Sequence, residues 1–380
     1  MTDLNRTSKQ VLITGGAGFV GSHLADGLLT AGHRVRVLDD LTPQVHQNGA
    51  PTYLSPKVEL IVGDVRDPNR LREVLSGVDV IFHFAATVGV GQSMYEISRY
   101  MSVNSQGTAE LLQAMLDNKH TPEKLIVASS MSIYGEGEYV CSSCGSSAFP
   151  SVRSVAELKK SAWELRCDVC SGVLMPRPTN ERKPSEINSI YALSKRDQEE
   201  LCLIYGRTYG IPVTALRFFN IYGTRQALSN PYTGVAAIFA ARLINNQAPL
   251  VFEDGEQMRD FVSIHDIVRA NLFAMERPDA DGEVINVGSG TPITIRRVAE
   301  ILAAALGKQE LQPVITQKYR AGDIRHCYAD ITKARRVLGY EPQVTHEEGF
   351  RELAAWLQDQ EADDKAETML QELSAYGLSA

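Results

Sequence analysis

The sequence predicts an α/β fold built on a doubly wound parallel sheet. Three observations predict it: short apolar runs alternate with stretches of helical spacing, a glycine-rich turn joins the first run to the first helix, and an acidic residue closes the second run. Strands that alternate with helices pair in parallel, because each helix carries the chain back across one face of the sheet. Both faces are then covered, so the strands read as almost unbroken apolar runs. Ligands of such sheets sit beyond the carboxyl ends of the strands.

VLITG is the first strand and FVGSHLADGLLTAGH the first helix. VRVLDD is a strand ending in acid, and VELIVGD, VDVIFHFAA and KLIVASS follow, with LREVLSG and TAELLQAMLD as helical stretches between them. Across 136–188 the rhythm breaks into a segment with several prolines and two cysteine pairs, which reads as an insertion. Regular pattern resumes with a helix near 189–209 and the strand VTALRFF. The stretch 223–259 is mixed, 283–287 reads as strand, 293–306 and 330–338 as helices, and the chain after Pro342 as helical and acidic. The expected organisation is a parallel-sheet domain at 9–220 interrupted by the 136–188 insertion, a smaller lobe mainly at 221–347, and a helical tail at 348–380.

A chain of 380 residues with 44% hydrophobic and 22% charged residues is ordinary for a globular protein of two lobes. Its net charge of −8 argues against a nucleic-acid partner, because binding along a phosphate backbone needs concentrated Lys and Arg. MTDLNRTSKQ lacks the pattern of a secretory signal, and no stretch approaches the roughly 20 apolar residues that span a bilayer. A cytoplasmic protein without a membrane partner is therefore expected.

Thr14-Gly15-Gly16-Ala17-Gly18-Phe19-Val20-Gly21 lies between the first strand and the first helix. A sharp turn, a close approach of backbone to a pyrophosphate, and tight packing of helix on strand each call for a glycine. The helix start then offers free N–H groups and a positive dipole end to phosphates. Asp39 ends the next strand 18 residues after Gly21. A carboxylate there accepts hydrogen bonds from ribose hydroxyls and repels a 2′-phosphate, which favours NAD over NADP.

The G-x-x-G-x-x-G spacing resembles that of the extended short-chain dehydrogenase/reductases, the NAD-dependent sugar-nucleotide epimerase and dehydratase family, and the likeness runs from about Lys9 to Glu347 outside the insertion. The resemblance implies a Rossmann sheet with a C-terminal substrate-binding lobe, with Gly15, Gly18, Phe19, Val20, Gly21 and Asp39 on NAD. It also implies that Asp64 and Val65 flank the adenine, that Ala85 and Ala86 lie along the cofactor, and that Asn104 steadies the neighbouring strand and helix. A homodimer using the 108–116 and tail helices is implied as well.

Tyr191-Ala-Leu-Ser-Lys195 puts a phenol and an ammonium one helical turn apart on one face. Such an ammonium favours phenolate and draws the phenol down from its usual value of about 10. A tyrosine so tuned can exchange a proton with a sugar hydroxyl. In the family, a Ser or Thr four residues before the Tyr of a YG pair binds the reacting hydroxyl, and in VASSMSIYG that residue is Ser130. Ser130, Tyr191 and Lys195 are thus the implied catalytic triad, also serving substrate and cofactor. Ser130 and Tyr191 lie 61 residues apart, and the insertion accounts for the excess over the family's spacing.

Arg217-Phe-Phe-Asn220-Ile-Tyr-Gly223 resembles the family's RFFNVYG signature, which implies that Asn220 binds the substrate diphosphate. GEQMR259DF and R320AGD323 resemble two further elements, implying Arg259 and Arg320 on phosphate and Asp323 on the nucleoside ribose. Arginine suits this task because its planar fork offers two donors to phosphate oxygens. Phe252 in PLVFEDG is placed to pack on the base, whereas His265-Asp266 reads as structural.

Family dehydratases carry Asp-Glu after the catalytic Thr, and decarboxylases a Glu; here Met131 and Ser132 follow. An epimerase needs only the triad and room for its intermediate to rotate. VGVGQSMYEI, ASSMSIYGEG, RQALSNPYTGV and YRAGDIRHCYAD resemble the bacterial dTDP-L-rhamnose 4-epimerase branch, which implies a dTDP-linked 6-deoxyhexose. UDP-glucose or UDP-glucuronate epimerisation is the alternative substrate reading; a keto-sugar reductase or an NAD-binding regulatory protein are the alternatives of other classes.

Cys141-Ser-Ser-Cys144-Gly and Cys167-Asp-Val-Cys170-Ser-Gly form two C-x-x-C knuckles with 22 residues between them. Such spacing brings four thiolates around a tetrahedral Zn²⁺. Iron and paired disulfides are the competing readings. With no open position the metal is expected to be structural, holding the insertion as a zinc-ribbon-like element that caps the sugar pocket or builds an oligomer contact. Cys202 and Cys327 stand alone and read as small buried apolar residues.

Overall fold

The computed structural model describes residues 8–379. Five strands come first: β1 (Gln10–Thr14), β2 (Arg34–Asp39), β3 (Glu59–Val62), β4 (Val80–His83) and β5 (Lys124–Ser130). The insertion carries β6 (Glu138–Cys141), β7 (Ser147–Ala148) and β8 (Leu174–Arg177). The remainder holds β9 (Val213–Phe218), β10 (Asn220–Tyr222), β11 (Leu250–Val251), β12 (Met258–Ser263), β13 (Val284–Val287), β14 (Pro292–Thr294), β15 (Val314–Ile315) and β16 (His326–Cys327).

The central sheet has the order β13-β9-β5-β4-β1-β2-β3, and every pairing in it is parallel. Its alternation buries both faces. Val11 and Ile13 join a cluster with Leu24 and Leu28 of the Phe19–Thr30 helix, while Leu12 joins one with Leu71 and Leu111 on the other side. The strand order reverses between β1 and β4, and a crevice opens there beyond their carboxyl ends.

The expected boundary at 220/221 falls inside β10, and β13, expected in the smaller lobe, completes the central sheet beside β9. The Ile264–Glu276 helix likewise packs on the Phe19–Thr30 helix, where Val268 stands over Gly27. The lobes therefore interleave along the chain, because a parallel sheet recruits its last strand from wherever a crossover returns. The second lobe proper has a core around Phe239, Leu302 and Phe350. The expected tail boundary at 347/348 also moves, because His346–Leu357 is one helix whose Phe350, Leu353 and Leu357 belong to that core.

The insertion folds as a small antiparallel sheet, β7-β6-β8, over Tyr139, Cys141, Leu165, Cys167 and Leu174. Among the described residues no helix is long and apolar enough to cross a membrane.

Candidate functional site

A cleft of about 920 Å³ opens at the crevice. Gly15 turns out of β1 with φ +70°, and a Cβ there would stand 2.8 Å from the Ala85 nitrogen, so only glycine fits. At Gly21 a Cβ would stand 2.5 Å from the Gly15 carbonyl oxygen, which lets the Phe19–Thr30 helix start hard against the strand. That helix begins at Gly18 with no side-chain cap, leaving its first N–H groups and its positive end for an anion. Gly15, Gly18, Phe19, Val20, Gly21, Asp39, Asp64, Val65, Ala85 and Ala86 all line the cleft. This donor set fits a dinucleotide.

Asp39 accepts the N–H of Ala17 at 3.0 Å and that of Leu41 at 3.0 Å, and burial pushes its carboxyl up. Asp64, at the rim, is held below the usual carboxylate range by the Arg66 guanidinium. Asn104 stands behind the wall in a π-helical turn, Met101–Gln106, accepting from Thr87 N–H at 2.7 Å and donating to Ser194 Oγ at 2.9 Å. It thus ties the β4 loop to the Ile190–Tyr209 helix. Turns of this kind recur where a helix must be re-aimed.

Ser130, Tyr191 and Lys195 line the same cleft. Ser189 caps the Ile190–Tyr209 helix through the Ala192 N–H and so fixes where Tyr191 enters. Ser130 Oγ accepts a hydrogen bond from Ser132 Oγ at 2.7 Å. The expected lowering of the Tyr191 phenol is corrected here. Loss of solvent pushes it up to about 12, an effect the Ser130 hydroxyl opposes. Lys195 does not offset this; its ammonium donates to Gln198 Oε1 at 2.6 Å, and burial pulls it down to about 7. One water-poor wall disfavours the charged form of both groups.

Asn220 lines the cleft, and its buried Oδ1 has no hydrogen-bond partner among the described residues. An amide flip exchanges that acceptor for a donor. Phe252, Arg259, Arg320 and Asp323 converge on one another outside the cleft lining. Arg320 lies over the Phe252 ring at 5.0 Å and meets Asp323 at 2.9 Å. Arg259 reaches Asp323 at 3.3 Å but also donates to the carbonyls of Met258, Ile324 and Arg325. Burial works to raise the Asp323 carboxyl, yet Arg320, Arg259 and Arg153 together hold it below its ordinary value.

Family models match this chain in two stretches: the NAD dependent epimerase/dehydratase family over residues 11–156 and GDP-mannose 4,6 dehydratase over 170–353. A Burkholderia thailandensis protein named dTDP-L-rhamnose 4-epimerase is 34% identical over 371 residues, spanning 96% of this chain and 100% of that protein. The chain belongs to the NAD-dependent epimerase/dehydratase family. It is similar in fold to UDP-glucose 4-epimerase of Thermotoga maritima, solved with UDP-glucose, at TM-score 0.75 and 30% identity over 92% of this chain and 98% of that one. UDP-glucuronic acid 4-epimerase of Bacillus cereus, solved with UDP-glucuronic acid and NAD, matches at TM-score 0.75 and 26% identity over 92% of this chain and 99% of that one. This epimerase/dehydratase family member is an enzyme, and NAD is the cofactor its turn suits.

The same enzyme brings its four paired cysteines together, with the sulfurs of Cys141, Cys144, Cys167 and Cys170 all within 4.8 Å of one another. Cys141–Cys170 is 3.3 Å and Cys144–Cys167 is 3.8 Å, far beyond a disulfide bond. A tetrahedron with metal–sulfur bonds of about 2.3 Å has edges of about 3.8 Å. Hydrogen bonds from Ser146 pull the Cys144 thiol down, whereas contact with the other sulfurs pushes the Cys170 thiol up. Cys202 and Cys327 are buried, as expected. No residue of the insertion between Ser132 and Tyr191 lines the cleft, so the expected cap over the sugar pocket is not where the insertion lies.

Sequence reasoning missed a buried chain behind the triad. Gln198 donates to Ala85 O at 3.2 Å, to Thr108 Oγ1 at 3.0 Å and meets His83 Nε2 at 3.2 Å, while His83 Nδ1 meets Thr14 Oγ1 at 2.8 Å. Gln198 sits three residues after Lys195, on the same helix face, and that spacing was the one available signal.

Proposed function

We propose that this enzyme inverts C4 of the sugar in a nucleoside-diphosphate sugar through a transient 4-keto intermediate. One observation carries the reading: Ser130, Tyr191, Lys195 and Asn220 converge on the cleft that the glycine turn opens. When bound, NAD supplies a reversible hydride acceptor. Tyr191 takes the proton of the C4 hydroxyl as the C4 hydrogen departs with its electron pair. Ser130 holds the sugar oxygen and favours the phenolate, and Lys195, held by Gln198, takes the nicotinamide ribose. The keto-sugar then turns over and recovers hydride and proton with the other hand, so no net oxidation occurs and added NAD is not consumed.

The carboxylates lining the cleft are Asp39, Asp40 and Asp64, on the side assigned to adenosine. Among the described residues none stands in the lining beside Ser130, where elimination of water would call for extra acid and base. We assign the nucleoside diphosphate to Asn220, Phe252, Arg259, Arg320 and Asp323. The sugar we favour is a dTDP-linked 6-deoxyhexose, interconverting L-rhamnose and 6-deoxy-L-talose, on the strength of the full-length 34% identity.

The test is incubation with a panel of dTDP- and UDP-sugars without added NAD, followed by sugar NMR. Appearance of only the C4-inverted dTDP-sugar is the expected result. Inversion of UDP-glucose or UDP-glucuronate replaces the substrate; a stoichiometric need for NADH replaces the epimerase with a keto-sugar reductase.

We further propose that the four cysteines hold one structural Zn²⁺, supported by the sulfur spacing. Elemental analysis should find about one zinc per chain; iron in its place, or no metal, overturns this. We also propose a cytoplasmic homodimer. Leu116, Leu193 and Ile204 are exposed on the Gly107–Asp117 and Ile190–Tyr209 helices, whereas the tail helix turns its Met369 and Leu373 inward. The dimer face therefore moves from the tail to the Ile190–Tyr209 helix, and light scattering on the purified protein tests it.

A further inference from the structure

We infer that the cysteine-clipped insertion is a positioning device for the nucleoside-diphosphate end of the substrate site, a claim that rests on the nucleotide-sugar reading above. The loop 145–166 leaves Cys144 and returns to Cys167, so the four-sulfur cluster closes it at its base. Closing a loop there removes freedom that its far side would otherwise have to lose on ordering. That far side carries Arg153, Leu158, Trp163 and Glu164, and all four face the second lobe.

Arg153 is buried and grips Glu253 with both arms of its fork, at 2.8 Å and 2.8 Å. One of those arms also donates to the carbonyl of Asp323 at 3.3 Å. Glu253 sits next to Phe252 and holds φ +52°, a left-handed backbone that a glutamate adopts only when its surroundings impose it. Main-chain hydrogen bonds with Lys318 and Gln317 hold that backbone, and two guanidinia hold the side chain, because Arg325 also meets Glu253, at 3.1 Å. Arg325 is fully buried and reaches Asp254 at 2.7 Å and, from its Nε, Glu164 of the insertion at 3.0 Å. Leu158 and Trp163 pack on Tyr319, which precedes Arg320 in the chain. Phe252, Arg320 and Asp323 are thus each held through a neighbour or their own backbone by a residue of the insertion. None of the insertion's residues enters the cleft where the hydride moves. The insertion therefore governs grip on the nucleoside diphosphate and leaves the chemical step alone.

The test measures dTDP and UDP affinity by calorimetry on the full chain, alongside zinc content, bound NAD, and KM and kcat on the active sugar. Arg153→Met and Cys170→Ser should weaken nucleoside-diphosphate binding by at least about tenfold, the scale on which supporting contacts act. KM should rise in step while kcat and bound NAD stay within about twofold, and Arg153→Lys should recover only part of the loss because a point charge cannot replace a fork. Glu164 is half-exposed, so Glu164→Gln keeps the fold; it should weaken binding by about threefold, within the range of such a pair. It decides the matter should Arg153→Met fail to fold. Unchanged affinity in folded Arg153→Met or in Glu164→Gln overturns the inference. Zinc loss in Cys170→Ser without loss of affinity removes the clip from it. Wild-type protein that binds neither dTDP nor UDP instead refutes the nucleotide-sugar reading itself.

Discussion

Tyr191 and Lys195 share one turn of the Ile190–Tyr209 helix and one water-poor wall of the cleft. Desolvation drives their proton affinities apart, the phenol up to about 12 and the ammonium down to about 7. In the proposed reaction, proton exchange with a sugar hydroxyl then depends on groups that favour phenolate, of which Ser130 is one. Tyr191→Phe removes the exchanging atom and nothing else, and turnover should fall by at least about a hundredfold, measured by sugar NMR at saturating substrate. Lys195 offers a second check through stability. Its value in the fold lies below its ordinary 10.5, so between about 7 and 10.5 the unfolded chain binds more protons and this group makes stability rise with pH. Below about 7 its burial penalty is present in full. Lys195→Met abolishes that penalty, so its stability relative to wild type should be greatest near about pH 6 and shrink toward about pH 10 in denaturant titrations. A gap independent of pH would show that Lys195 is charged at no cost in the fold.

The Ile190–Tyr209 helix is held to the sheet by more than apolar packing. Glu199 accepts from Ser129 Oγ of β5 at 2.6 Å and pairs with Arg217 of β9 at 2.6 Å, both acid and base being buried. Glu199→Ala leaves the Arg217 guanidinium buried without its anion, and unfolding free energy should drop by about 3–5 kcal/mol. A loss below about 1 kcal/mol would mean that water or Tyr134, which accepts from Arg217 at 2.8 Å, takes over the pairing. The same helix marks how far the sequence could be read. Its Tyr191 and Lys195, like Gly15, Gly18 and Gly21, declare themselves because their chemistry is local, one turn or one strand–helix junction. The central sheet was legible for the same reason, each strand being a short apolar run with a helix after it. Arg153 carried no such sign: its partner Glu253 lies 100 residues away, and SVRSVAEL looks like any capped surface turn. The π-helical turn at Asn104 was equally silent, since an extra residue in a helix shifts a face without altering composition. Phe252, Arg320 and Asp323 were legible as motifs, whereas their grouping outside the main cleft was set by contacts between lobes.

At the scale of the whole molecule, the segment after Leu357 joins parts that the two cores leave separate. It stays with the second lobe at first, where Asp364 pairs with Arg242 at 3.0 Å. Its Ala366–Ala375 helix then crosses to the sheet domain, with Leu373 buried over Gly91 and Tyr376 stacked on Tyr95 at 4.5 Å. Glu372 accepts from Tyr232 at 2.5 Å, and Tyr232 itself lines the cleft. The chain ends by returning to the second lobe, where the Leu378 carbonyl accepts the Ala321 N–H at 3.0 Å, next to Arg320. None of the buried residues of the three large clusters comes from this segment, so a chain stopped after Leu357 should still fold, at a lowered melting temperature because Arg242 loses its anion and the Met369 and Leu373 contacts go. What it loses is the strap between the domains, and local restraints of this kind open well before global unfolding. An enzyme that recycles its cofactor benefits from a cleft whose walls cannot part. The truncated chain should therefore shed NAD on desalting where the full chain retains it, and its turnover should become dependent on added NAD. Equal retention by both chains would show that the glycine turn and the Ile190–Tyr209 helix hold the dinucleotide unaided.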